Sequence, residues 1–381
     1  MTPHRTQPPP PPQAFSPEER AAMRRALALA RRGLGRTSPN PVVGAVILDR
    51  GGREAGHGWH QQAGGAHAEI HALRAAGPRA AGGTAVVTLE PCSRQGRTGP
   101  CTRALLQAGI RHVVYAVADP TLAGEGAERL REAGLDVRAG LLAERAAEDN
   151  HAWLTAALHH RPHVTLKLAT TLDGRIAARD GTSRWITGPP ARRDTHLLRT
   201  RVDAVAVGSA TVLADDPRLT ARDPAGRTRR RQPVRIVFDR RLRTPPTCRL
   251  ATDTAAPTWI VTTHAPPRRA PRTAPGACEL ITTEAGPGFL PAALTELHRR
   301  GIRSLLVEGG ATLAGALLAD HLVDRLVWYS APRLLGADGA PAVRGLDVPT
   351  CAQAPGFRVV GARRIGEDVR VVLEPQPKES P

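Results

Sequence analysis

Aromatic side chains are scarce, at 3% of 381 residues, and lysine is nearly missing, with only Lys167 and Lys378. Almost all of the basic charge behind the formal net +18 therefore sits on arginine. A balance this basic invites a nucleic-acid reading. Polynucleotide surfaces, however, combine a basic groove with aromatic stacking platforms. Here the arginines are scattered through a chain rich in Ala, Pro and Gly, with one run at Arg227–Arg231 (RTRRR). An anionic small substrate or cofactor accounts for them equally well. Five cysteines are too few for a disulfide framework. If Cys92 and Cys101 hold a metal, Cys248, Cys278 and Cys351 remain, an odd number far apart, which suits a reducing compartment. No run of about 18 apolar residues exists, so no membrane span is expected. The first residues, MTPHRTQPPPPPQAF, have a proline tract and no apolar core of a signal peptide. Residues 1–15 are expected to be a disordered or polyproline tail, and the protein to be cytoplasmic.

The most specific chemistry lies between Ala66 and Cys101, in AHAEIHALRAAG, TAVVTLE and PCSRQGRTGPC. His67 offers an imidazole and Cys92 and Cys101 two thiols, a donor set suited to tetrahedral Zn²⁺. Three protein ligands leave one position for water, as a catalytic zinc requires. Glu69, two residues past the histidine, is placed to move protons. His-x-Glu followed by Pro-Cys and a second Cys is the pattern of zinc-dependent nucleobase deaminases. A structural zinc knuckle needs a fourth ligand, for which His57, His60 and His71 are near. The insert between Cys92 and Cys101 carries Arg94 and Arg97, basic groups that suggest a phosphorylated substrate.

At about twice the usual domain length, two domains are expected. Ser16-Pro17-Glu18-Glu19 opens a helix by capping and dipole logic. The apolar run PVVGAVILD then turns at Asp49–Arg53 into EAGHGWH, a hairpin. Strands and helices alternate onward, with one helix expected across LLAERAAEDNHAWLTAALHH. Arg161-Pro162 marks the boundary, giving a zinc-dependent deaminase domain over 16–160 and a second α/β domain over 163–375. Stretches rich in Pro, Arg and Thr (Asp223–Gln232, Leu242–Pro257, Ala265–Gly288) read as surface loops. In the second half, SLLVE runs into Gly309-Gly310 and a helix, a weak phosphate-binding signal by itself. Lys167, Trp185 and the cluster Asp215, Asp216, Arg218, Arg222 are noted beside it.

The ordered motifs PNPVVGAVI, HAEIHAL, VTLEPCS–GRTGPC, LKLATTLDGRIA, SRWITG, TVLADDPRLTAR and VEGGATLAGALL resemble the bifunctional riboflavin-biosynthesis deaminase–reductases over roughly residues 16–375. The resemblance implies an α/β chain: an N-terminal cytidine-deaminase-like α/β/α domain followed by a dihydrofolate-reductase-like α/β domain. It implies Zn²⁺ on His67, Cys92 and Cys101, with Glu69 as proton carrier and Asn40, His60 and Arg97 as substrate contacts. It further implies NADPH at Ala169, Trp185, Thr211, Asp215 and the run Gly310, Ala311, Thr312, Leu313, Ala314, Gly315 and Ala316. Substrate would meet Ser183, Arg199, Leu219, Arg222 and Glu308, with Lys167 near the reacting ribose. The partners implied are phosphorylated pyrimidines, without nucleic acid or membrane, in a homo-oligomer. One position departs: Arg94 stands where the family usually carries a histidine, and arginine cannot act as a neutral acceptor. Two rival readings are a reductase with a non-catalytic zinc domain, and a deaminase of nucleic-acid bases.

Overall fold

The computed structural model describes residues 14–94, 99–122, 124–264, 278–284, 286 and 288–376. The proline tract and Arg97 lie outside the described residues. The chain divides into two compact units, Met1–Leu154 and Thr155–Pro381.

The first unit runs α1 (Pro17–Ala30), β1 (Gly44–Leu48), β2 (Glu54–Trp59), α2 (Ala68–Ala76), β3 (Thr84–Leu89), α3 (Cys101–Gln107), β4 (His112–Val117), α4 (Glu125–Glu132), β5 (Asp136–Ala139) and α5 (Ala143–Asp149), with α6 (His151–His159) following. Ser16 caps α1 as expected: its Oγ accepts from the Glu19 N–H, and Glu19 Oε2 accepts from the Ser16 N–H. The strands form one sheet in the order β2-β1-β3-β4-β5. β1 is antiparallel to both neighbours, as the hairpin reading expects, while β3, β4 and β5 are parallel. Residues of β1, β3 and β4 alternate between two cores, one with α2 and α4 and the other with α1.

The single helix expected over LLAERAAEDNHAWLTAALHH is instead two, broken at Asn150. The buried Asn150 amide accepts from the Val42 N–H and donates to the Val42 C=O, both at 2.9 Å. A side chain bonded to backbone elsewhere fixes a helix break that periodicity cannot reveal.

The second unit comprises β6 (His163–Thr171), β7 (Arg175–Ala177), α7 (Pro189–Arg199), β8 (Ala204–Gly208), α8 (Ser209–Asp215), β9 (Val234–Phe238), α9 (Arg249–Thr252), β10 (Thr258–Thr262), β11 (Cys278–Thr282), α10 (Phe289–Arg299), β12 (Ser304–Glu308), α11 (Ala311–Ala319), β13 (Arg325–Ala331), β14 (Ala340–Pro341), β15 (Phe357–Ile365) and β16 (Asp368–Pro375). Among the described residues nine strands make one sheet, β11-β10-β9-β8-β12-β6-β13-β16-β15. It is parallel from β11 to β13 and ends in the antiparallel β15–β16 hairpin. Two of the expected surface loops hold more structure than that: Leu242–Pro257 contains α9, and Ala265–Gly288 contains β11. CELIT pairs in parallel with β10 and buries Ile281 in the main core. Local composition hid it because pairing, rather than propensity, makes that strand.

Candidate active sites

Local sequence explains how the first site is held together. His67 is the N-cap of α2 and Glu69 lies in its first turn. α2 lies hard against β2, where only glycine fits. A Cβ at Gly56 would lie 2.4 Å from the Ala76 nitrogen, and one at Gly58 2.4 Å from the His71 Cβ. From the other side, Cys101 opens α3, and the Thr102 N–H donates to the Cys92 carbonyl at 3.1 Å. The His67 Nδ1 is 3.2 Å from the Cys101 Sγ and 3.4 Å from the Cys92 Sγ, and all three ligand atoms lie within 4.8 Å of one another. Hydrogen bonds from Cys101 and then His67 bring the Cys92 thiol down to about 4, while Cys101 is raised by the same pairing and by burial. One nitrogen and two sulfurs, one of them readily ionised, converging within reach of one ion, fit Zn²⁺. Glu69 is buried beside them, and burial, then the Cys92 charge, push its carboxyl up. A carboxyl raised in this way is a better proton carrier than an exposed one.

Asn40 and His60 adjoin this cluster. The His60 ring sits edge-on to His67 with centroids 5.6 Å apart. The His60 Nδ1–H donates to the Ala66 carbonyl at 3.1 Å, which leaves Nε2 to accept from Asn40 Nδ2 at 3.3 Å.

In the second unit, a cleft of about 1100 Å³ opens at the carboxyl ends of β6, β8, β9 and β12. Open parallel sheets place ligands there. Ala169, Thr211, Asp215, Gly310, Ala311, Thr312, Leu313 and Ala316 line it. Ala314 belongs to the core instead, and Gly315 is packed so tightly that a Cβ would meet the Arg344 carbonyl at 1.8 Å. Gly309 and Gly310 have φ of 84° and 90°, and a Cβ on Gly310 would reach the Thr211 Oγ1 at 3.2 Å. Bare backbone at the start of α11 is a cradle that fits a dinucleotide phosphate.

A second cleft of about 520 Å³ holds Ser183, Arg199, Leu219, Arg222 and Glu308. Trp185 lines this cleft rather than the larger one, exposed and covered by the Arg192 guanidinium 4.4 Å from its ring. Lys167, Ser183, Thr211, Asp215 and Glu308 line both clefts, so the two ligands would meet at these residues. Arg199 grips Glu308 through Nε at 2.5 Å and Nη2 at 2.8 Å, and donates from Nη1 to the Thr220 carbonyl. Burial pushes the Glu308 carboxyl up, but the charge and hydrogen bonds of Arg199 more than reverse this, leaving it low. Burial lowers the Lys167 ammonium from its usual range.

Residues 162–371 match the RibD C-terminal domain family, and residues 16–117 the cytidine and deoxycytidylate deaminase zinc-binding region. The riboflavin biosynthesis protein RibD of Escherichia coli K12 is 45% identical over 360 residues, covering 91% of this chain and 96% of its own. The chain belongs to the bifunctional deaminase–reductases of riboflavin biosynthesis. The same protein from Mycobacterium tuberculosis H37Rv is 43% identical, covering 89% and 92%. Among solved structures, Acinetobacter baumannii RibD matches with a TM-score of 0.85 at 37% identity, over 94% of this chain and 99% of its own. A Thermotoga maritima diaminohydroxyphosphoribosylaminopyrimidine deaminase/5-amino-6-(5-phosphoribosylamino)uracil reductase matches with 0.84 at 34%, over the same shares. The α/β reading, with a deaminase-like half and a reductase half, is borne out, and so are the zinc and NADPH cofactors.

Arg94, which stands at the family's histidine position, is exposed and pairs with Glu125 at 3.1 Å. Sequence reasoning missed several supporting residues. The buried Glu90 carboxylate accepts from the Ala127 and Asp119 N–H groups and anchors the loop before Cys92. Arg240, Arg241 and Arg243 line the larger cleft, but the general arginine bias gave no reason to single them out.

Proposed function

We propose that the first unit hydrolytically deaminates 2,5-diamino-6-ribosylamino-4(3H)-pyrimidinone 5′-phosphate, and that the second reduces the ribosyl group of the product to ribityl, giving 5-amino-6-ribitylamino-uracil 5′-phosphate. The observation that carries the first half is the convergence of His67, Cys92 and Cys101 beside the buried Glu69. Zinc held there acts as a Lewis acid and makes hydroxide available near neutral pH. Glu69 accepts a proton from the attacking water and passes it to the ring nitrogen, then takes the remaining proton from the added hydroxyl and delivers it to the leaving amine as the carbonyl forms. Asn40 and His60 orient the pyrimidine, His60 acting as a neutral acceptor because burial lowers its pKa.

In the second unit Gly310, Ala311, Thr312, Leu313 and Ala316, with Ala169, Thr211 and Asp215, hold NADPH, which supplies the hydride, while Ala314 and Gly315 seat the helix behind them. Arg240, Arg241 and Arg243 add the positive charge that a 2′-phosphate calls for. Ser183, Trp185, Leu219, Arg222 and Glu308 bind the phosphorylated pyrimidine. Lys167, on the boundary of the two clefts, donates a proton to the ribose oxygen as the ring opens. Arg199, committed to Glu308, orients that carboxylate rather than gripping phosphate. Arg97 is kept as a deaminase substrate contact on the resemblance alone. The deaminase domain is taken as 16–160 and the reductase domain as 163–375.

The ligands are small phosphorylated pyrimidines. We take the chain to act as a cytoplasmic homo-oligomer that does not bind nucleic acid. No helix among the described residues is long and apolar enough to cross a membrane. Glu69→Gln tests the deaminase reading: ammonia release should fall about 10²- to 10⁴-fold with zinc content and reductase activity kept. Loss of zinc with the activity would point to a structural role.

A further inference from the structure

Lys167 sits on β6 between β12 and β13. The register sets Glu308 opposite it on one side and Val327 on the other. Strand side chains alternate, so Tyr329, two residues past Val327, shares the face of Lys167. The Lys167 Nζ lies 5.6 Å from the Tyr329 ring centroid, within reach of cation–π attraction.

That ring is clamped. Tyr329 is fully buried, and its hydroxyl donates to the Asp194 Oδ2 at 2.6 Å. Asp194, on α7, also meets Arg363 of β15 at 3.0 Å and Arg370 of β16 at 3.1 Å. The terminal hairpin thus reaches the lysine through one carboxylate and one phenol. Burial, then the bond to Asp194, raise the phenol pKa, so the ring stays neutral at working pH.

Glu308 from β12 and Arg199 from α7 act on the Lys167 charge and the Tyr329 ring from β13 lies near it, while His196 of α7, Asp215 at the end of α8, Asp216 and the guanidinium groups of Arg184, Arg192, Arg218, Arg222 and Arg249 share its cleft. Burial opposes the ammonium, Glu308 favours it although that carboxylate is also held by Arg199, and Arg199 repels it. The Tyr329 ring offers attraction with no competing partner for its face among these groups. We propose that Tyr329 is a positioning residue of the reductase, its ring held by Asp194, Arg363 and Arg370 so that the Lys167 ammonium stays charged and directed at the cleft. This rests on the reading of Lys167 as the proton donor to the ribose.

The chain contains only two lysines, so ¹³C-lysine labelling gives two ε-methylene signals, assigned with Lys378→Arg. In the unaltered protein the Lys167 signal should be shifted upfield by the ring current of Tyr329, and a Lys167 signal at the position of Lys378 overturns the proposal without any variant at Tyr329. Tyr329→Leu should move the Lys167 titration, and with it the alkaline limb of reductase kcat, to lower pH by roughly one unit. Substrate KM should stay within about two-fold, because the ring does not touch substrate. Tyr329→Phe, which keeps the ring, should restore most of the limb. An unmoved limb in Tyr329→Leu, with Lys167→Ala inactive, overturns the proposal; an active Lys167→Ala overturns the reading beneath it.

Discussion

Gly58 offers a quantitative test of how the deaminase site is set. A methyl group there would lie 2.4 Å from the His71 Cβ and 2.7 Å from the Ala68 carbonyl oxygen, where ordinary contacts begin at 3.4 Å. The deficits are 1.0 Å against His71 and 0.7 Å against Ala68. Both obstacles belong to α2, one of them its backbone, so rotation of a side chain cannot absorb the methyl. The helix start must move by about 1 Å and carry His67 and Glu69 with it. Overpacking of this kind costs about 1–3 kcal/mol of stability. A misplacement of about 1 Å in a catalytic group costs on the order of 10²-fold in rate. The assay is ammonia release by Gly58→Ala, with NADPH oxidation on the deaminated substrate as internal control. Deamination should fall about 100-fold and reductase activity should hold. A variant that folds, binds zinc and deaminates within two-fold of the parent would refute the claim that this contact sets the geometry.

Further outcomes follow from the same geometry. Gly310→Val places a branched side chain at φ 90° and against Thr211; it should raise the NADPH KM at least about ten-fold, through strain of about 1–3 kcal/mol, and leave ammonia release unchanged. Arg243→Gln removes a cation from the larger cleft and its bond to the Ser209 Oγ; the NADPH KM should rise about ten-fold and the NADH KM stay put, as initial rates with each cofactor will tell. Asn150→Leu breaks both bonds to Val42 in a buried setting, so thermal unfolding of the first unit should show a loss of about 2–4 kcal/mol. Chelation of the metal should abolish ammonia release and spare NADPH oxidation.

The features legible in the sequence were those that local pattern determines. Ser16 announced its helix start, TAVVTLE its strand, and the order His67, Glu69, Cys92, Cys101 its metal chemistry. Much of the residue-level reading of the reductase came from the resemblance, since Lys167, Ser183 and Arg222 carry no local signal of their own. What stayed hidden depends on contacts between distant residues. Asn150 breaks a helix for the sake of Val42, 108 residues away. Gly56 and Gly58 looked like hairpin residues until α2 was laid upon them. Arg199, which lines the smaller cleft, also pairs with Glu308, 109 residues on. The run CELIT is a strand only because β10 lies beside it.

The most direct test of the account is a single incubation of purified, metal-assayed protein with the diaminopyrimidinone ribosyl phosphate and NADPH. One zinc per chain, with one ammonia released for each NADPH oxidised, is the predicted result. NADPH oxidation that requires substrate deaminated beforehand, with no ammonia from the zinc-loaded protein, would contradict it.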